Sequence, residues 1–146
     1  MDRIDREIVE LLRKDARLSY RELGDSVGLS ANTVAERVRR LVADRVLESF
    51  EARVNPEALG LTVQALIDVK MLPGTSAEHF EATIQTIPGI VEATLLTGSY
   101  DYTLRVACHD HAHLMRLIEA LREKAGVQDT YSRVILRRTP VRSRLV

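Results

Sequence analysis

Ser30-Ala-Asn-Thr-Val-Ala-Glu-Arg-Val-Arg-Arg-Leu-Val-Ala-Asp44 is the stretch from which the rest of the fold can be worked out. On a helix, Val34, Val38, Leu41 and Val42 fall at i, i+4, i+7 and i+8 and make one apolar stripe, which leaves Asn32, Thr33, Glu36, Arg37 and Arg40 on the other side. One face buries. The other offers amide, hydroxyl, carboxylate and guanidinium groups that match base edges and phosphates, and Ser30 stands where an N-cap hydroxyl would satisfy a free amide. Taken alone, the same pattern fits any solvated amphipathic helix, so the neighbouring sequence has to decide.

Upstream, Ser19-Tyr-Arg-Glu22 spells a capping box, and Leu23 and Val27 give the short helix it opens an inward side. Gly28 follows directly, at a position that favours positive φ, and Leu29 leads straight into the Ser30 cap. Two helices joined by so short a turn cross steeply and leave the second proud of the body, the geometry of a helix-turn-helix. Gly24 is a poor helix former whose use would be close approach of the two helices. Before them, Asp2 can cap a helix whose apolar positions Ile4, Ile8, Leu11 and Leu12 repeat at helical spacing until about Asp15. After Asp44, Val46 to Val54 reads as short extended structure, a small wing or connecting ribbon, closed by Asn55-Pro56.

The pattern then changes period. Val63, Ala65, Ile67, Val69 and Met71 alternate with Thr62, Gln64, Leu66, Asp68 and Lys70, which is a strand with one buried face. Pro73-Gly74 ends it, Thr75-Ser-Ala-Glu78 spells another capping box, and Phe80, Ile84 and Ile87 line a helix that stops at Pro88-Gly89. Ile90 to Thr97 and Tyr102 to Cys108 read as a hairpin around Gly98-Ser-Tyr-Asp101. Leu114, Met115, Leu117, Ile118 and Leu121 mark a further helix ending by Gly126, and Gln128 to Thr139 a last strand. The order βαββαβ is that of ferredoxin-like folds, with both helices on one face of the sheet. Leu66, Tyr131 and Ile135 are expected on the bare face, and such a face invites self-association.

Composition narrows the function. With 146 residues, 45% hydrophobic, the chain can fill one core or two small ones, and 21 basic against 21 acidic residues leave no global field toward nucleic acid or membrane. Any anion binding must be local. A single cysteine, Cys108, sits in a strand pattern as a core residue; no apolar run is long enough to span a bilayer, and a soluble, reducing, cytoplasmic setting is expected. There is no Gly-rich phosphate loop, nucleophile elbow or His/Glu zinc helix, and no cofactor is expected. His109-Asp-His111-Ala-His113 has ligand residue types, but a strand end running into a helix points them apart, and Asp110 serves better as an N-cap, so no metal is expected. His79 is expected in solvent. The tail carries Arg137, Arg138, Arg142 and Arg144 with no acid between them, a solvated end or a contact for phosphates or acidic groups of another subunit.

Asp2-Arg-Ile-Asp5, Asp15-Ala-Arg17, Glu22-Leu23, Val27-Gly-Leu-Ser30, Val34-Ala-Glu-Arg37-Val38-Arg-Arg40-Leu41 and Asn55-Pro56 with Leu59-Gly60 resemble the N-terminal domain of the leucine-responsive regulatory protein/AsnC transcription regulators. The βαββαβ half resembles the effector-binding domain of the same family. The resemblance implies an α+β chain: a winged helix-turn-helix at 1–54, a connecting segment at 55–61, and a ferredoxin-like effector-binding and oligomerisation domain at 62–146. It makes the Ser30 helix the recognition helix, and the DNA-binding candidates on it are Ser30, with Asn32, Thr33, Glu36 and Arg37 for base edges and Arg39 and Arg40 for phosphates. One departure is Arg45, where the family commonly has Gly.

Thr97, Gly98, Ser99, Tyr100 and Asp101 match the family's Gly-x-x-Asp signature, which in relatives lies at an inter-subunit amino-acid site. A zwitterion needs an anion for its ammonium and backbone donors for its carboxylate, which Asp101 beside a Gly-opened turn can supply. A plain hairpin in which Asp101 bonds backbone amides fits the residues equally well. The expected protein is a transcription regulator, not an enzyme. Its expected partners are double-stranded DNA with a roughly palindromic operator and an amino acid or related metabolite, and its expected assembly is a homodimer or an octamer, with no membrane. Siroheme decarboxylases, which are similar over both domains, supply the alternative.

Overall fold

Capping chemistry sets the three N-terminal helices. Asp2 accepts the Asp5 amide while Asp5 reaches back to the Asp2 amide, and α1 runs Arg3–Lys14. Ser19 and Glu22 make the same reciprocal pair at the start of α2, Tyr20–Val27. The Ser30 hydroxyl takes the Thr33 amide at the start of α3, Ala31–Ala43. The computed structural model describes residues 1–141, 143 and 145. Its chain divides into two units, Met1–Arg53 with Thr139–Val146, and Val54–Arg138.

In the first unit α1, α2 and α3 bury Ile8, Val9, Leu12, Leu23, Val34, Val38 and Leu41 in one cluster. Val42, expected in the apolar stripe, is 43% exposed. It lies about 80° round the helix from Val34, at the stripe's edge. The α2–α3 turn is tight because Gly28 takes φ 73° and the Leu29 amide donates to the Gly24 carbonyl at 3.0 Å. A Cβ at Gly24 would overlap the Leu29 carbonyl oxygen, so the close approach this glycine permits is to the turn backbone. Beyond α3, Arg45 holds φ 55° and the amides of Val46 and Leu47 both donate to the Leu41 carbonyl, which folds Leu47 back onto the core. The expected wing does not form: Val46 to Val54 contains no strand. Among the described residues of this unit there is no second strand with which an extended segment could complete a ladder.

The second unit opens with a 3₁₀ turn at Glu57–Leu59 and continues as β1 Val63–Met71, α4 Ala77–Ile84, β2 Ile90–Leu95, β3 Tyr102–Cys108, α5 His111–Lys124 and β4 Val127–Val134. The sheet order is β2-β3-β1-β4 with every neighbouring pair antiparallel, the split βαβ topology of a ferredoxin-like fold. Ala65, Ile67, Val69, Tyr102, Leu104 and Val106 from the two central strands meet Phe80 and Ile84 of α4 and Leu114, Leu117 and Leu121 of α5. Several boundaries differ from expectation: α4 ends at Ile84 rather than at Pro88-Gly89, and β2 ends at Leu95 rather than Thr97. The α4 cap is Ser76, whose side chain accepts the His79 amide, rather than Thr75. β4 stops at Val134 rather than Thr139: Ala65 already faces Val134, and one further bond, Ile135 amide to Gln64 carbonyl, exhausts β1.

Pairing puts Leu66 opposite Arg133 and Asp68 opposite Tyr131, with Ile135 beside Gln64, so the three expected apolar residues share the helix-free face. That face is not purely apolar. Arg105 pairs with Glu92 at 3.0 Å, Asp68 accepts from Thr103 and from Arg133 at 2.8 Å, and Arg133 lies 5.7 Å from the Tyr131 ring centre.

Candidate DNA-reading helix and effector loop

Burying Val34, Val38 and Leu41 turns Asn32, Thr33, Glu36, Arg39 and Arg40 outward. Asn32, Glu36 and Arg39 fall at i, i+4 and i+7 on one exposed line, and among the described residues their side chains carry no hydrogen bond or ion pair. Thr33 is less free, because its hydroxyl bonds that of the Ser30 cap at 2.8 Å. Ser30 itself is committed to holding the helix start.

Arg37 occupies a different position from the one its sequence setting suggested. Its guanidinium donates to Asp2 at 2.7 Å and to Asp5 at 2.8 Å, which draws it back toward α1 and leaves the side chain 22% exposed. Arg40 reaches the other Asp5 oxygen at 3.2 Å but stays 58% exposed, so part of its donor set still faces outward. Asp5 is buried, and its carboxylate survives burial only because it is bonded on all sides. Burial pushes its pKa up, and the Arg37 hydrogen bond with the Asp2 amide more than cancels that, leaving it below the usual value. Asp2 is held low first by the Asp5 amide and then by Arg37, and Arg37 is held correspondingly high by Asp2 and Asp5. The i, i+3 spacing of Asp2 with Asp5 and of Arg37 with Arg40 was the available sequence signal for this pairing.

Thr97, Gly98 and Ser99 are exposed at the tip of the β2–β3 connection, Tyr100 and Asp101 half-buried at its base. Gly98 takes φ 117°, a backbone state that a side chain would strain. The loop is stitched by the Leu96 amide to the Asp101 carbonyl and by the Asp101 amide to the Val69 carbonyl, at 2.9 and 2.8 Å. Asp101 Oδ2 accepts the Met71 amide at 2.8 Å, while Oδ1 lies 3.8 Å from the Lys70 ammonium. So Asp101 anchors the hairpin to β1 and also presents a carboxylate oxygen beside a cation. Sequence reading did not find Lys70 or Met71, because their approach depends on the β1–β3 register.

The histidines follow expectation only in part: Asp110 is the cap, but His109 and His113 do not point apart, and their rings stack with centroids 5.5 Å apart because the i, i+4 spacing across the α5 start brings them to one side. Asp110 caps α5 by accepting the His113 amide at 2.7 Å; His113 Nδ1 accepts the His109 amide, and His109 Nδ1 lies 3.0 Å from the Gly60 carbonyl. Among the described residues no group of His, Cys, Asp and Glu is arranged to hold a metal. His79 is exposed, and Cys108 is fully buried, with burial raising its thiol pKa. In the tail Arg137 and Arg138 are exposed, whereas Arg142 and Arg144 lie outside the described residues. No helix of the described residues is long and apolar enough to cross a membrane.

Both halves of the chain have known relatives. Residues 1–42 match the AsnC-type helix-turn-helix domain, and residues 64–145 match the Lrp/AsnC ligand binding domain. The chain belongs to the Lrp/AsnC family. The leucine-responsive regulatory protein of Escherichia coli K12 is 34% identical, with 100% of this chain and 91% of that protein covered. The HTH-type transcriptional regulator FL11 of Pyrococcus furiosus is 33% identical over 94% of this chain and 90% of its own length. Among solved structures, the leucine response regulatory protein of Mycobacterium tuberculosis superposes with a TM-score of 0.85 at 30% identity, covering 98% of this chain and 97% of that one. A Neisseria meningitidis transcriptional regulator in complex with L-Met gives 0.88 at 28% identity, covering 100% and 96%. This Lrp/AsnC chain is thus a DNA-binding transcription regulator and not an enzyme, and the decarboxylase alternative is not favoured.

Proposed function

We propose that α3 enters the major groove, with Asn32, Thr33, Glu36 and Arg39 facing the bases and Arg40 a phosphate. The observation that carries this is the exposed line Asn32–Glu36–Arg39, whose donors and acceptors are unengaged among the described residues. Arg39 moves from phosphate candidate to base candidate because it lies on that line, and Arg37 leaves the base-reading set because two carboxylates hold it. A chain of this kind reads DNA as a symmetric assembly, so two α3 helices meet a roughly palindromic operator about one helical turn apart, or a multiple of it. The helix-free sheet face with Leu66, Tyr131 and Ile135 is the surface for a homodimer, from which an octamer would be built.

The effector is an amino acid or a close relative bound at Thr97–Asp101 between subunits. Asp101 Oδ1 takes its ammonium, while loop amides and Lys70 take its carboxylate. Two family structures carrying methionine support that ligand class. Ligand binding changes DNA affinity only by favouring one assembly over another.

The test is selection of bound fragments from a random-sequence duplex library with purified protein, repeated against an amino-acid panel. A shared motif with two-fold symmetry is expected, along with a panel member that changes recovery. Titration calorimetry then compares the wild type with Asp101→Asn, which keeps an oxygen for the Met71 amide but loses the charge. Unchanged ligand affinity in that variant would remove Asp101 from the site.

A further inference from the structure

The charged cluster joining the start of α1 to the middle of α3 has no counterpart in a simple recognition-helix account. It holds two carboxylates and two guanidiniums: Asp2 and Asp5 belong to the α1 capping box, and Arg37 and Arg40 lie one turn apart on α3. Asp5 uses both oxygens, one toward Arg37 at 2.8 Å and the other toward Arg40 at 3.2 Å and the Asp2 amide at 3.2 Å. Arg37 in turn bridges the two acids. An apolar contact between helices tolerates small rotations, because its energy has no direction. Charge-assisted hydrogen bonds do not, since each weakens steeply once donor and acceptor leave their line.

We propose that Asp5, supported by Asp2, is a positioning residue for sequence recognition: it fixes the rotation of α3 through Arg37 and orients Arg40 for a phosphate. Neither acid touches DNA. A carboxylate facing phosphate would repel it, yet here each acid is turned onto an arginine, so its effect on DNA passes through that arginine alone. Arg37 acts as a strut between helices and not as a reader. Arg40 is shared, with one edge on Asp5 and the remaining donors in solvent. The cluster thereby sets which bases Asn32, Glu36 and Arg39 reach. This inference rests on α3 being the recognition helix.

The test uses the full chain and two short duplexes, one carrying the motif recovered by selection and one with its bases scrambled. Affinity for each is measured with wild type, Asp2→Asn, Asp5→Asn and Arg37→Lys, at a temperature where melting curves show every protein folded. Asp2→Asn keeps an N-cap acceptor and removes only charge, so it reports on the clamp even if Asp5→Asn fails to fold. For Asp2→Asn and Asp5→Asn the ratio of motif to scrambled affinity should fall about tenfold, a change that altered stability alone would not produce in folded protein. Arg37→Lys should recover the wild-type motif when selection is repeated, because a strut can be replaced by another cation. The proposal is overturned if the acid variants keep the wild-type ratio, or if Arg37→Lys selects a motif altered at a single position. If the wild type itself selects no motif, it is the recognition-helix reading that fails.

Discussion

At the scale of single residues, Arg45 and Gly24 show how α3 is framed. Arg45 adopts φ 55° because the chain must turn back for the Val46 and Leu47 amides to reach the Leu41 carbonyl. A side chain in this region costs about 1 kcal/mol relative to glycine. Arg45→Gly should therefore stabilise the N-terminal unit by about that amount, read as a rise in urea midpoint without a change in slope. Gly24 works in the opposite sense: alanine there is the better helix former, but its Cβ would overlap the Leu29 carbonyl oxygen. Gly24→Ala should destabilise by about 1–3 kcal/mol, since backbone and not a pliant side chain stands in the way, and the same denaturation experiment reads it. Tyr102 is a third case. Burial first, then its hydrogen bond to Glu81 at 2.6 Å, raises its phenol pKa to about 12, so it should stay protonated through an absorbance titration in which exposed tyrosines ionise.

At the scale of elements, what matters is how α1 holds α3. Asp2 and Asp5 have carboxyl pKa values below the ordinary 3.8, so the folded unit binds fewer protons than the unfolded chain near that pH. The stability they contribute is present above about pH 3.8 and is lost as pH falls through their lower folded values. Below that pH, thermal melting of wild type should fall more steeply than that of Asp5→Asn, which has no such carboxylate to protonate; parallel curves would show that the pairing contributes nothing. DNA binding should separate the two exposed arginines by salt dependence. Arg40→Ala should reduce the slope of log affinity against log salt by about 0.9 and weaken all sequences alike, whereas Arg39→Ala should cost about 1–3 kcal/mol at one base position. The capping boxes, the Gly28 turn and the hydrophobic period made α1, α2 and α3 legible in sequence, because each is local. Val46 to Val54 misled for the same reason: β-prone residues indicate an extended segment but not whether a neighbour exists to pair with it.

At the scale of the whole molecule, the prediction concerns symmetry. If paired chains place two α3 helices on one face of the duplex, inserting about half a helical turn between half-sites should abolish tight binding, and a full turn should restore it. Equal binding to all three duplexes would mean that each unit binds alone. The sequence by itself determined the order of elements, the split βαββαβ topology, the buried stripes and the identity of the exposed helix, since caps, turns and hydrophobic period act over a few residues. Only the tertiary structure decided which exposed groups are free. Arg37 and Arg39 are equally cationic in sequence, yet Arg37 meets two carboxylates from the far end of the unit while Arg39 meets none among the described residues. Asp101 likewise has its Met71 and Lys70 neighbours only through strand register. Charge and hydrogen-bonding capacity belong to the residue, but whether they are already satisfied depends on groups brought close by folding, and that distance is absent from the sequence.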